Sequence, residues 1–180
     1  MLRTKLNKAY LKRTFRPILG WTQATPKACF LDPAWDRSKD IYPGMVAQRV
    51  TGDLVSLFGA VPGAGAITTP YGFIGLYVGG DGIDEVLDSG INAFVVCVLG
   101  PDAEAEILAP AYHSDLAAFT EVPGTDTLLF AVKSGVDQGK LCLSTTTNAG
   151  TIPVARLLKV VSSTKIVVGG LSVSDAFAGA

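Results

Sequence analysis

The sequence of 180 residues has few charges, few cysteines, a single histidine and no long hydrophobic run. Charged residues make up 17% of the chain and hydrophobic residues 48%, whereas an ordinary domain has about 25% charged residues. This composition excludes intrinsic disorder for the bulk of the chain, because enough apolar surface is present to form a core. The longest apolar run, Ala93–Leu99, is too short for a membrane-spanning helix.

The scarcity of cysteine and histidine argues against several kinds of site. The cysteines are odd in number and lack the spacing of metal ligands, so we predict neither a disulfide framework nor a zinc site. Cys97 and Cys142 lie in apolar runs and are predicted to be buried thiols. His113 is followed directly by Ser114 and Asp115, but a Ser-His-Asp triad assembles from distant parts of a fold. We therefore interpret His113 as a helix-surface or loop residue.

Other candidate motifs also fail on spacing. The segment 135–140 has only three residues between its glycines, and Leu141 follows its lysine, so it predicts a hairpin turn rather than a phosphate loop. The acidic residues form two groups, one of which is typical of a helix N-terminus and the other of one face of a strand. These groups are Asp81, Asp84, Glu85 and Asp88, and then Asp102, Glu104 and Glu106. We predict no catalytic residue, no metal site and no cofactor, and hence no enzyme.

The charges are unevenly distributed along the chain. Residues 1–16 carry six basic side chains and no acidic one, whereas residues 41–180 carry six basic and thirteen acidic side chains. The basic residues are Arg3, Lys5, Lys8, Lys12, Arg13 and Arg16. Such a segment suits an anionic partner: nucleic acid, a membrane surface, an acidic patch on another protein, or an organelle import receptor. A solvated terminus without a partner is the remaining alternative.

Residues 17–44 combine prolines, which break a long helix, with large aromatic residues. The aromatic residues are Trp21, Phe30, Trp35 and Tyr42. Flexible linkers seldom contain such residues, so we predict an extended segment whose rings fill pockets. The pockets belong either to the rest of the chain or to a neighbouring subunit, which is the preferred alternative. We therefore predict an extended N-terminal arm at 1–44 and a body at 45–180.

The body is predicted to be rich in β-structure. Short runs of β-branched and aromatic residues are separated by clusters of glycine, proline and aspartate, which mark turns. The predicted strands are 45–50, 54–58, 73–78, 94–99, 128–133, 140–144, 154–161 and 165–168. One or two short helices are expected, at 83–89 and at 110–119, the second with Pro110 in its first turn. The fold class is therefore mainly β, with a small barrel-like or sandwich-like body.

Several segments of the body follow a recognisable order. They are Tyr42-Pro43-Gly44-Met45-Val46, Tyr71-Gly72-Phe73-Ile74-Gly75-Leu76, Gly139-Lys140-Leu141-Cys142-Leu143, Ile152-Pro153-Val154-Ala155-Arg156-Leu157-Leu158 and Ile166-Val167-Val168. Over residues 42–170 this order resembles the head decoration, or cement, proteins of tailed bacteriophages. The chain has Val154-Ala155 where that family often has Val-Gly.

The resemblance implies a virion structural protein, made in the host cytoplasm, that binds the outer surface of the capsid. It implies that the protein stabilises the shell by bridging major capsid subunits, often as a homotrimer. The basic and aromatic residues of 1–44 are then the expected partner-binding residues, and β-strand addition would give the arm its affinity. We expect no small-molecule substrate, no membrane and no nucleic acid as partner. Two alternatives are a nucleic-acid-associated or other virion protein that uses the basic arm, and an enzyme imported into an organelle.

Overall fold

The computed structural model describes residues 15–19, 24–32, 41–59, 70–75, 93–118 and 127–171. These residues form strands in two sheets and one short helix. The strands are β1 (Phe15–Leu19), β2 (Ala24–Leu31), β3 (Val46–Thr51), β4 (Leu54–Leu57), β5 (Pro70–Ile74), β6 (Ala93–Leu99), β7 (Glu104–Leu108), β8 (Thr127–Ala131), β9 (Leu141–Cys142), β10 (Ala155–Ser162) and β11 (Lys165–Gly169). The predicted mainly β fold is confirmed.

Five strands close into a small barrel, in the order β2-β4-β3-β5-β6. All neighbours are antiparallel except β2 and β4, which pair in parallel at Phe30 with Leu54 and at Leu31 with Val55. Closure leaves no free edge at this junction, where a free edge would invite pairing with another chain. Strand β2 is therefore the strand that completes the barrel.

The second sheet has six strands in the order β1-β7-β11-β10-β8-β9. Its inner face follows the period of two that a half-buried strand requires. Ala105 and Ile107 of β7 and Ile166 and Val168 of β11 are fully buried, whereas the residues between them, Glu106 and Val167, are partly exposed. Two irregularities in the pairing of β10 with β11 locally bend this hairpin.

One hydrophobic core joins the two sheets. Phe15 of β1 stacks on Phe73 of the barrel, with ring centroids 6.0 Å apart and an interplanar angle of 17°. The amide of Val46 in β3 donates to the carbonyl of Gly139, which precedes β9, over 2.7 Å. Gly59, which follows β4, packs against the backbone of Lys133 so closely that a Cβ atom would overlap the Lys133 carbonyl.

The predicted helix at 110–119 is shorter than expected. Helix α1 covers only Ser114–Ala117, and His113 rather than Pro110 is adjacent to its first residue. The His113 side chain acts as the N-cap and accepts a hydrogen bond from the Asp115 amide. Pro110 lies outside the helix, so the expectation of proline in the first helical turn is wrong. The predicted helix at 83–89 lies outside the described residues.

Two strands within residues 1–44 belong to the sheets of the chain itself. Strand β1 pairs with β7, and β2 pairs with β6 along its length and with β4 at its end. For these strands, the chain's own body is the surface on which the segment lies. The predicted boundary at residue 44 does not coincide with a boundary of the sheets.

Candidate functional site

Three of the predicted partner-binding residues lie in the described part of the chain: Arg16, Phe30 and Tyr42. The others, which are Arg3, Lys5, Lys8, Lys12, Arg13, Trp21 and Trp35, lie outside it. Arg16 is on the edge strand β1, Phe30 is near the end of β2, and Tyr42 precedes β3. The structure therefore places these three residues on different elements rather than in one site.

Arg16 belongs to a row of charged side chains across three strands. Its guanidinium lies 3.8 Å from a carboxylate oxygen of Glu106 on β7, and the Lys165 ammonium of β11 lies 3.6 Å from the other oxygen. The Arg16 side chain is 74% exposed, so its ion pair contributes little to stability, typically about 0–1 kcal/mol. Glu104 and Glu106 share a face of β7, as their spacing predicted. This strand is an inner strand rather than an edge.

The two described aromatic candidates have opposite environments. The side chain of Phe30 is exposed, whereas Tyr42 is buried in the core. The Tyr42 amide donates to the sulfur of Met45 over 3.1 Å. Phe30 thus exposes an apolar ring at the surface, and Tyr42 contributes to the chain's own packing.

The only histidine lies in a cluster of polar side chains that the sequence analysis did not predict. His113 Nδ1 lies 3.0 Å from Asp115 Oδ1, and His113 Nε2 lies 3.6 Å from Asp137 Oδ2. Lys140 Nζ donates to Asp137 Oδ1 over 2.6 Å, and the Thr146 hydroxyl donates to Asp115. The described contacts of His113 reach no hydroxyl or thiol nucleophile, so the cluster lacks the geometry of a triad. The cluster connects helix α1 to the turn that contains Asp137 and to the turn that contains Thr146.

Cys97 and Cys142 are buried thiols, as expected, and Cys29 is buried as well. Burial raises the pKa of the Cys97 thiol to about 11. Burial, together with the nearby Asp115 carboxylate, raises the pKa of the Cys142 thiol to about 12. A reactive cysteine requires the opposite shift, because the thiolate is the nucleophile. These thiols therefore act as small apolar side chains.

A pocket of about 190 Å³ opens between the barrel and the second sheet. Its walls are aliphatic, proline and aromatic side chains, and the Arg49 guanidinium lies 5.7 Å from the ring centroid of Tyr71 at one side. The lining residues include Tyr71, Phe73, Val98, Pro153, Val154 and Leu171. Such a lining offers van der Waals contact but few of the convergent polar groups that orient a small ligand.

Sequence reasoning predicted the turn between β8 and β9 but not its exposed apolar tip. Val136 is 93% exposed, whereas the other exposed large hydrophobic side chains of the described surface range from 36% to 49%. The available signal was a valine between Gly135 and Asp137, since turn tips ordinarily carry small polar residues.

The described residues form neither a metal site nor a membrane-spanning helix. No group of histidine, cysteine and acidic residues there could hold a metal ion. No helix among the same residues is long and apolar enough to cross a membrane. The described geometry thus defines a mainly β protein whose distinctive features are surface projections rather than a polar cleft.

Comparison with known families identifies the kind of protein. The model of the phage cement protein family matches residues 1–180, so the chain belongs to that family. It is a structural protein of the bacteriophage virion and a component of the capsid. The resemblance noted over residues 42–170 is confirmed and extends over the whole chain. No curated protein and no solved structure matches it.

Proposed function

We propose that the chain binds the outer surface of the capsid and stabilises the lattice by bridging neighbouring major capsid subunits. The observation that carries this proposal is the family match over residues 1–180. A protein that contacts two subunits at once adds its binding free energy to the work of separating them. Repetition over the lattice adds avidity, because each further contact is made at high effective concentration. The proposal includes self-association, with a homotrimer as the expected state.

The basic N-terminal residues are proposed to supply one part of the contact. Five of them lie in residues 1–13, ahead of the edge strand β1, where Arg16 is already exposed. Acidic patches on the shell would attract this segment over roughly a Debye length of 8–10 Å at moderate salt. Phe30 is proposed as a separate apolar anchor on the barrel, because its ring is exposed although it lies within a strand. The buried Tyr42 is better explained by core packing.

The test is binding of the full chain to purified capsids that lack the cement protein. One variant replaces Arg3, Lys5, Lys8, Lys12 and Arg13 with glutamine, which keeps the length and leaves β1 intact. A control variant replaces Arg49 and Lys159, two exposed basic residues of the body, in the same way. At low salt the first variant is expected to lose about tenfold or more in affinity, which corresponds to roughly 1.4 kcal/mol.

The difference between the first variant and the wild type is expected to shrink at about 0.5 M salt, where charge screening is strong. Equal binding of both proteins at low salt would remove the basic residues from the mechanism. A nucleic-acid-associated function predicts instead that the wild type binds DNA with a steep salt dependence and does not bind capsids.

A further inference from the structure

The turn between β8 and β9 carries an apolar side chain into solvent. We define the 133–139 turn as the residues from Lys133 to Gly139, with Val136 at its tip. Gly135 adopts a φ of +87°, and a Cβ atom there would meet nothing within 4 Å, so this part of the turn stands clear of the body. Valine is β-branched and is seldom chosen for turns, where glycine, asparagine, aspartate and serine dominate.

The base of this turn is fixed to both sheets. The Gly139 amide donates to the Val132 carbonyl over 2.9 Å, and the Gly139 carbonyl accepts from Val46 of the barrel. The Asp137 carboxylate pairs with Lys140 at 2.6 Å and with His113 at 3.6 Å. Because these contacts hold the turn, a partner would bind Val136 without ordering a flexible loop. Such preorganisation lowers the entropic cost of association.

Among the residues that the structure describes, the exposed ones around the tip are uncharged. A second turn, residues 144–148, ends beside the first, since the Lys133 amide donates to the Asn148 carbonyl over 2.8 Å and Val132 pairs with Ala149. The exposed residues of the two turns carry hydroxyl, amide or no polar side-chain groups, and the charged residues of the first turn, Lys133 and Asp137, are half-buried. These exposed residues are Ser134, Gly135, Val136, Ser144, Thr145, Thr147 and Asn148.

We propose that the 133–139 turn is a second capsid-binding element, in which Val136 inserts into an uncharged apolar depression on the shell protein. The inference rests on the proposed function. An exposed apolar side chain inside an uncharged polar rim has the anatomy of the centre of an interface, where charged residues are depleted and the surrounding rim is polar. This contact differs from that of the basic segment, because it buries no charge and does not weaken with salt.

The experiment measures binding of the full chain to capsids without cement protein, at about 50 mM and about 0.5 M salt. The test variant is Val136→Asp, and Val136→Leu is the conservative counterpart. The control is Val161→Asp, which places the same charge at a valine that is 45% exposed on the β10–β11 hairpin. The unfolding midpoints of the Val136 variants should match that of the wild type, because a side chain that is 93% exposed contributes little to the core.

Val136→Asp is expected to weaken binding by about tenfold or more at both salt concentrations. Val136→Leu and Val161→Asp should stay within about threefold of the wild type. If the wild type and Val136→Asp bind capsids equally well, this inference is wrong and the proposed function is unaffected. Failure of the wild type itself to bind would overturn the proposed function. If Val136→Asp disrupts association of free copies but binds capsids normally, the turn contacts a second copy and the inference is wrong.

Discussion

Gly59 shows how a single residue connects the barrel to the second sheet. Its φ of +125° lies in a region that side chains rarely adopt, and its α-carbon faces the Lys133 backbone. Gly52 also has a positive φ, +53°, but a Cβ atom there would meet nothing within 4 Å. Alanine substitutions at these two glycines therefore distinguish the free-energy cost of backbone strain, which both share, from that of steric overlap, which arises only at residue 59.

Gly59→Ala is expected to destabilise the protein much more than Gly52→Ala. The strain of a left-handed conformation costs about 1–2 kcal/mol at either position, but only at residue 59 must the two sheets move apart. We expect a loss of roughly 4 kcal/mol or failure to fold at residue 59, since large effects arise from such mechanisms. Denaturant unfolding of both variants measures the difference. Equal losses would show that the close approach is readily relieved.

The buried thiols predict a loss of stability in alkaline solution. The pKa of Cys97 is raised from 9.0 to about 11, and that of Cys142 from 9.0 to about 12. Above pH 9 the unfolded chain releases these protons while the folded chain retains them, so the free energy of unfolding falls as pH rises toward the folded values. Below pH 9 both states are protonated and the effect is absent.

Thermal unfolding at about pH 8 and about pH 10.5 tests this linkage. The unfolding midpoint of Cys142→Ala should fall less between the two pH values than that of the wild type, because one of the coupled protons is gone. An identical fall in both proteins would contradict the assignment. The comparison cancels the groups that both proteins share, including Tyr112, whose pKa burial also raises.

At the scale of elements, the sequence predicted best the strands whose residues favour β-structure on their own. All eight predicted strands overlap observed ones: β3 to β6 and β8 to β11. Their β-branched and aromatic residues carry a local signal, and the intervening glycine and proline clusters carry a second one. The hairpin turn at 135–140 was also predictable, because its glycines marked it.

Three strands are absent from the predicted set, although the spacing of Glu104 and Glu106 indicates a strand face in one of them, and each depends on tertiary pairing rather than propensity. Strands β1 and β2 contain Pro17 and Pro26, which argue against a strand when read locally. Strand β7 consists mostly of glutamate and alanine, both weak β-formers. It forms because β1 and β11 pair with it on both sides. The role proposed for the 133–139 turn was not predicted for the same reason. The contacts that hold its base join segments that are distant in the sequence.

Strand β1 gives a prediction about the N-terminal boundary of the folded unit. Removal of residues 1–14 should leave the unfolding midpoint unchanged, because β1 and Phe15 remain. Removal of residues 1–19 should destabilise the protein by about 3–5 kcal/mol, as expected for loss of a buried phenylalanine. It would also make β7 an edge strand that is prone to pairing with other chains.

Thermal unfolding and size-exclusion chromatography of both truncations test this boundary. The matched control is Phe15→Ala in the protein that lacks residues 1–14, because this variant loses the ring but keeps strand β1. Equal stability of both truncations would show that β1 is dispensable. The basic residues could then be removed together with β1 without affecting the body.

At the scale of the molecule, two chemically different contacts are proposed, and salt separates them. The basic residues of 1–13 act through charge, so their contribution falls with ionic strength. Val136 acts through apolar burial, which salt does not screen. A protein carrying both sets of substitutions should lose capsid binding at every salt concentration. Additive losses in this combined variant would indicate independent contacts, since distant sites usually add.

The central claim is that this cement protein strengthens a capsid by bridging its subunits. The most direct measurement is the rupture temperature of capsids without cement protein, followed by release of encapsidated DNA, as purified wild-type protein is added. The account predicts a saturable rise in rupture temperature that tracks the number of bound copies, and a smaller rise with Val136→Asp at equal protein concentration. Full occupancy with no change in rupture temperature would contradict bridging, and absence of binding would contradict the account as a whole.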